Sequence, residues 1–296
     1  MSPLLLFPDF ALIALGYALR RLWMPASAWV SIEKLVYFVL FPCLLFFSVA
    51  TSEFSVAQAG WFALGAPALI VSSFALGWLV RPFTSLSKID FTSGLQTAYR
   101  FNTYIALALV SRLGGQEAVA ALAVLVALGV PLCNILAVGS MSQNRLSGTL
   151  GEMAKNPLII GTSLGIVAKL LNLPFWEPLL LSLERLSQAA VSLGLLAVGS
   201  GLIFNGLRGN WVPASWWLGM KLIIGPILAF GYAQWFDFSV LQTQVIVAFA
   251  AIPSASSAYI LTTRMGGNGS LVACLISLST VLAAATIPAI FWVTGL

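Results

Sequence analysis

Charge and histidine are what this sequence has least of. The 296 residues include no histidine, three cysteines and a charged fraction of only 8%. A soluble domain carries about 25% charged residues, because its surface must be wetted. At 60% hydrophobic residues and a mean hydropathy of +0.99, this chain cannot cover itself in water and needs lipid as solvent. The missing histidine removes the commonest general base and metal ligand. Cys43, Cys133 and Cys274 lie in apolar runs without CxxC spacing and read as small buried hydrophobes, so no metal and no cofactor is expected. HExxH does not occur, and without any histidine a serine nucleophile lacks its usual base, which argues against an intramembrane enzyme. Lysine and arginine number 14 against 9 acids, yet no basic run exceeds Arg20-Arg21. Nucleic acid needs a clustered basic face and is not an expected partner.

What is present is a series of long apolar runs. A membrane-spanning helix takes about 20 such residues. Ten stretches qualify: 4–20, 29–50, 58–80, 91–111, 116–140, 156–173, 178–203, 212–235, 240–263 and 269–293. The first lacks the positively charged start of a signal peptide, with Arg20 and Arg21 following it, and reads as a retained span. With the amino terminus outside, inner loops collect Arg20, Arg21, Arg81, Lys88, Arg145, Lys155, Arg208 and Arg264, and outer loops only Arg112 and Lys169. That asymmetry sets the orientation, with both termini outside. The expected location is a bacterial inner (cytoplasmic) membrane, spanned many times.

The sequence also repeats itself. Gly16 and Ser31-Ile32-Glu33-Lys34-Leu35 return as Gly165 and Ser182-Leu183-Glu184-Arg185-Leu186. Ser111-Arg112-Leu113-Gly114-Gly115 returns as Thr263-Arg264-Met265-Gly266-Gly267. The offsets are 149, 151 and 152 residues, in constant order. The expected fold is therefore an all-α integral membrane protein of ten transmembrane helices in two five-helix repeats. Residues 1–141 form the first, 142–155 a cytoplasmic connecting loop and 156–296 the second. An odd number of spans per repeat inverts the second copy, an arrangement found in many secondary transporters with a midplane site at interrupted helices.

Two spans carry such interruptions. Thr97-Ala98-Tyr99-Arg100-Phe101-Asn102-Thr103 breaks the fourth, and Ile252-Pro253-Ser254-Ala255-Ser256-Ser257 the ninth, at equivalent positions. Proline removes a backbone N–H and clashes with the preceding turn. The freed groups survive in a membrane only inside protein or along a wet cavity. Pro253 reads either as a kink, like Pro42, Pro67, Pro131, Pro226 and Pro288, or as a crossover, and its pairing with Asn102 favours the crossover. Arg100 lies roughly 13 Å into its span, without a carboxylate at membrane depth in spans three to five. Two readings stand: its counter-ion is the substrate, or it caps carbonyls or snorkels. Lys221 reads as snorkelling or structural. Asn134 faces either the crossover or another helix. Glu33 and Glu184 either anchor helix ends or titrate in a proton-coupled cycle. The candidate substrate-binding set is Arg100, Asn102, Thr103, Asn134, Pro253, Ser254, Ser256 and Ser257.

At these residues the chain resembles the auxin efflux carrier family, whose bacterial members include proposed malate and malonate carriers. The likeness rests on the run Leu35 to Phe46, on Arg100-Phe101-Asn102-Thr103, on Asn156-Pro157-Leu158-Ile159-Ile160, on Ala197-Val198-Gly199-Ser200-Gly201-Leu202 and on Ile252-Pro253-Ser254-Ala255. It implies a ten-helix fold shared with bile-acid–sodium symporters, in which spans four and nine cross. Asn102 falls on the crossover asparagine and Pro253 on the crossover proline. Spans one, two, six and seven would form a scaffold and homodimer interface, and the other six a transport domain that slides as an elevator. The implied activity is secondary transport of a small organic anion, a mono- or dicarboxylate. Protons are a candidate coupling ion beside uniport. Sodium is disfavoured, because the acid-rich sites of the bile-acid relatives are missing from spans four, five, nine and ten. The long central loop of plant members is also missing. Rival readings are a carrier for neutral or cationic solutes, and a channel or sensor.

Overall fold

The computed structural model describes residues 7–51, 60–141, 157–207 and 209–296. The segment 142–155 expected to connect the two halves lies outside the described residues. Those described form helices throughout, with no strand among them. In chain order they are α1 (Phe7–Leu22), α2 (Ala26–Thr51), α3 (Gly60–Phe83), α4 (Lys88–Tyr99) and α5 (Thr103–Met141). Then come α6 (Pro157–Leu170), α7 (Glu177–Ser200), α8 (Trp211–Trp235), α9 (Val240–Ala251), α10 (Ser256–Arg264) and α11 (Gly269–Thr294). Six described helical stretches are long and apolar enough to cross a membrane, and the bent pair α9 and α10 makes a seventh. This is an all-α, multi-pass membrane protein.

The expected span at 91–111 is made of α4 and the first part of α5, and α5 continues into the expected span at 116–140 across a non-helical break at Gly114 and Gly115. Gly115 has φ +56°, a conformation that side chains with a Cβ rarely adopt, so the chain turns there. Prolines act inside helices in a different way. A π-turn at Val36–Leu40 immediately precedes Phe41-Pro42, and another at Met220–Ile224 precedes Gly225-Pro226. The ring of a helical proline clashes with the carbonyl four residues back, and one wide turn relieves that contact without ending the helix.

Close helix packing is made by glycine. In lipid no hydrophobic force drives helices together, so small residues that let backbones touch take over. A Cβ on Gly199 of α7 would strike the Ile13 carbonyl of α1, and one on Gly16 of α1 would strike the Leu196 backbone of α7. Gly161 and Gly165 of α6 sit likewise on the backbone of Pro42 and Phe46 in α2. These contacts bind α1, α2, α6 and α7 into one group. The remaining helices pack mainly on one another and meet that group through α5. Gly199→Val should therefore destabilise the folded protein by about 1–3 kcal/mol. Thermal unfolding in detergent will read this, with Gly219→Ala, which meets no atom within 4 Å, as the unperturbed comparison.

Candidate functional site

The two interruptions meet inside the second group of helices. α4 ends at Tyr99 and α9 at Ala251, and the next residue of each is extended. Arg100 has φ −74° and ψ 151°, and Ile252 has φ −63° and ψ 149°. The Asn102 N–H donates to the Pro253 carbonyl at 2.9 Å and ties the two extended segments together.

Different chemistry breaks each helix. Proline disfavours the α conformation of the residue before it, so Ile252 is extended and α9 stops. The first half has no proline here. Instead Asn102 Oδ1 accepts from the backbone N–H groups of Tyr104, at 3.0 Å, and Ile105, at 3.3 Å. Such a cap supplies partners for the orphan N–H groups of a new helix and starts α5.

Backbone groups freed by the breaks find partners on neighbouring helices, as they must in hydrocarbon. Lys221 Nζ, positioned by the second π-turn, donates to the Ala250 carbonyl at 3.1 Å. Cys133 Sγ lies 3.8 Å from the Tyr99 carbonyl, and the Ser254 N–H donates to Ser279 Oγ at 3.2 Å. A cavity bounded by Ser73, Tyr99, Lys221, Phe249 and Ala250 measures only about 10 Å³. That is room for one water molecule and not for an organic acid. Lys221 is thus a backbone partner of the break.

Arg100 is 4% exposed. Its Nη2 donates to Asn134 Oδ1 at 2.9 Å and its Nη1 to Ser257 Oγ at 3.2 Å. Both partners are neutral. Its Nε and the Ser254 hydroxyl are buried without a hydrogen-bond partner among the described residues. A buried charge held only by dipoles is costly, and the nearest remedy is an anion. The amino ends of α5 and α10 begin at the same point and add positive potential.

The structure therefore joins Arg100 to Asn134 and Ser257, and Asn102 to Pro253. Ser254 is fully buried, Thr103 half-buried and Ser256 exposed. Asn134 faces the crossover. Asn102, expected as a substrate contact, has its side-chain oxygen engaged in capping. Glu33 and Glu184 are half-buried on α2 and α7, and Glu33 lies within electrostatic reach of Tyr104.

Sequence reasoning missed three participants. Ser279 sits in an apolar helix with Ser277 and Thr280, a cluster of hydroxyls that was the available signal. Gln96 Nε2 donates to Thr262 Oγ1 at 3.1 Å and links α4 to α10. Arg112 binds Asp9 through two contacts of 2.8 Å, although the two residues are 103 positions apart.

A helical membrane protein with interrupted helices meeting at a buried cation has the form of a membrane transporter. Residues 141–292 match the family described as "Membrane transport protein". The chain belongs to this family, the auxin efflux carrier family, and is a transporter rather than an enzyme. It is 23% identical over 301 residues to a protein of Rhizobium meliloti (strain 1021) named "Putative malonate transporter", covering 97% of this chain and 94% of that one. It is also 34% identical over 106 residues to an "Uncharacterized transporter" of Methanothermobacter thermautotrophicus, covering 36% of this chain and 35% of the other.

Proposed function

We propose that this protein is a secondary active transporter of small organic anions, mono- or dicarboxylates, with its site at the meeting of the two broken helices. The observation that carries the reading is Arg100, a buried cation whose side-chain partners are all neutral. A carboxylate placed there gains charge-assisted hydrogen bonds from the guanidinium. Ser254, Ser256, Ser257 and Thr103 add hydroxyls, and Asn102 and Pro253 hold the two segments in place. The malonate named for the Rhizobium relative is a dicarboxylate and belongs to this substrate class.

The topology in this proposal is ten spans in two inverted repeats. Residues Lys88–Met141 make a helical stretch of 54 residues. Straight, it would run roughly 80 Å at 1.5 Å per residue, far beyond a hydrocarbon core of about 30 Å. Breaks at Arg100–Asn102 and Gly114–Gly115 divide it into one interrupted span and one whole span. Backbone equivalence supports the repeat. Ser87 and Ser239, 152 residues apart, cap α4 and α9 at φ −57°, ψ 160° and φ −59°, ψ 161°, and both helices have 12 residues.

In this reading α1, α2, α6 and α7 form a scaffold and the face of a homodimer. The other helices slide against it as an elevator, in a bacterial inner membrane with both termini outside. Glu33 and Glu184, on the scaffold, carry protons if coupling is to protons. Sodium is disfavoured, since among the described residues the crossover offers amides, hydroxyls and carbonyls but no carboxylate.

The deciding experiment is a thermal-shift screen on purified protein with malonate, malate, acetate and an aromatic acid against choline and a neutral sugar, followed by counterflow in proteoliposomes. Stabilisation confined to acids, with counterflow of the same acids, is expected. Stabilisation by choline or sugar alone would overturn the anion reading. Conductance well above carrier turnover without counterflow would make the protein a channel.

A further inference from the structure

Equivalent positions on the two half-helices beyond the breaks differ sharply in exposure. Leu107 and Ala108 on α5 are 0% and 1% exposed, whereas Tyr259 and Ile260, 152 residues later on α10, are 41% and 48% exposed. Ser256, Ser257 and Thr263 on α10 are exposed as well, and these are polar groups that lipid does not favour. Ser257 connects this open face directly to Arg100.

The turn at the far end of the covered half-helix is tied down. Arg112 binds Asp9 of α1 in a bidentate pair, with Asp9 buried. Beyond Gly115, the Thr51 hydroxyl at the end of α2 donates to Gln116 Oε1 at 3.2 Å. The turn at Gly114 and Gly115 is thus fastened to both α1 and α2. Asp9 has no acidic counterpart in the second repeat, where offsets of 149 to 150 fall on Leu158 and Ile159.

We infer that the Asp9–Arg112 pair is a one-sided latch that closes the path to Arg100 from the Gly114–Gly115 side and leaves it open along the Ser256–Thr263 face. This rests on the two-group reading of the fold given above. In two inverted repeats, exchanging their conformations generates the opposite state. That exchange exposes Leu107 and Ala108, covers Tyr259 and Ile260, and separates Arg112 from Asp9. The exchanged state has no acid at the position equivalent to Asp9 to hold it.

The test uses full-length protein with its three native cysteines replaced by alanine, in lipid nanodiscs for labelling, where reagent reaches both faces, and in liposomes for uptake. Ile260→Cys should react with a membrane-impermeant maleimide, and Ala108→Cys should be protected. Adding Asp9→Asn should raise the ratio of labelling at Ala108→Cys to that at Ile260→Cys by about fivefold, the shift in equilibrium expected when a partly exposed bidentate pair is lost. Protection of Ile260→Cys in the latched protein would place that face in lipid and overturn the proposal. So would labelling that is indifferent to Asp9→Asn. The charge exchange Asp9→Arg with Arg112→Asp should restore the original pattern, which separates a latch from a folding defect. Finally, a bismaleimide bridge between Asp9→Cys and Arg112→Cys should stop uptake of radiolabelled malonate while its thermal stabilisation persists. Uptake unaffected by the bridge would refute the latch. The labelling readout needs no substrate, so failure of the wild type to bind any acid would sink the substrate reading alone.

Discussion

Replacing Arg100 with glutamine should weaken carboxylate binding by about two orders of magnitude or more while the protein still folds. The guanidinium is a full positive charge that meets the neutral side chains Asn134 and Ser257 at the crossover. A hydrogen bond to a charged group contributes about 1.5–3 kcal/mol. Two such bonds to a carboxylate, lost together, exceed the 2.7 kcal/mol that corresponds to roughly a hundredfold in affinity. Glutamine keeps an amide that can still donate to Asn134 or Ser257, so the helices should hold their places. Removing a buried charge also removes its desolvation penalty. Stability without ligand should therefore be unchanged or higher, with the thermal shift from organic acids gone. The measurement is isothermal titration with the acid that stabilises wild type best. An unchanged dissociation constant for every acid tested would show that Arg100 serves the backbone and not the substrate.

Asn102→Ala should lower stability and abolish transport together, because this side chain builds the break. Its oxygen caps two N–H groups at the start of α5, and its backbone N–H reaches the Pro253 carbonyl. Loss of a cap costs about 0.5–2 kcal/mol. In a buried, lipid-surrounded position the orphaned donors bring the upper part of that range. Asn102→Ser is the informative companion, since serine also caps helices. It should recover most of the stability and part of the transport. Full proteoliposome uptake in Asn102→Ala, with unfolding at the wild-type temperature, would contradict this account.

Much of the fold was legible before any coordinates because membranes impose strong rules on sequence. Lipid admits few charges, so long apolar runs announced the helices. Gly16 and Gly165, noticed as a repeat, proved to be positions where α1 meets α7 and α6 meets α2 backbone to backbone. Both interruptions were visible as polar residues within apolar runs. Less could be read about their neighbours. Asn102 looked like a substrate ligand because an amide in a membrane span suggests binding, and nothing in one dimension distinguishes a ligand from a helix cap. The expected loop between 111 and 116 shrinks to Gly114 and Gly115, because two glycines suffice to turn a chain that needs no polar segment there.

Sequence by itself determined the solvent, the helical class and the two weak points where helices break, since each follows from local composition and the hydrogen-bonding needs of the backbone. Tertiary structure alone decided what each break faces. It placed Asn134 and Ser257 on Arg100, Lys221 on the Ala250 carbonyl and Asp9 on Arg112, pairings that span 34, 157, 29 and 103 residues of chain. Contacts of that separation depend on how helices pack, and packing is set by small residues and shape rather than by any local pattern.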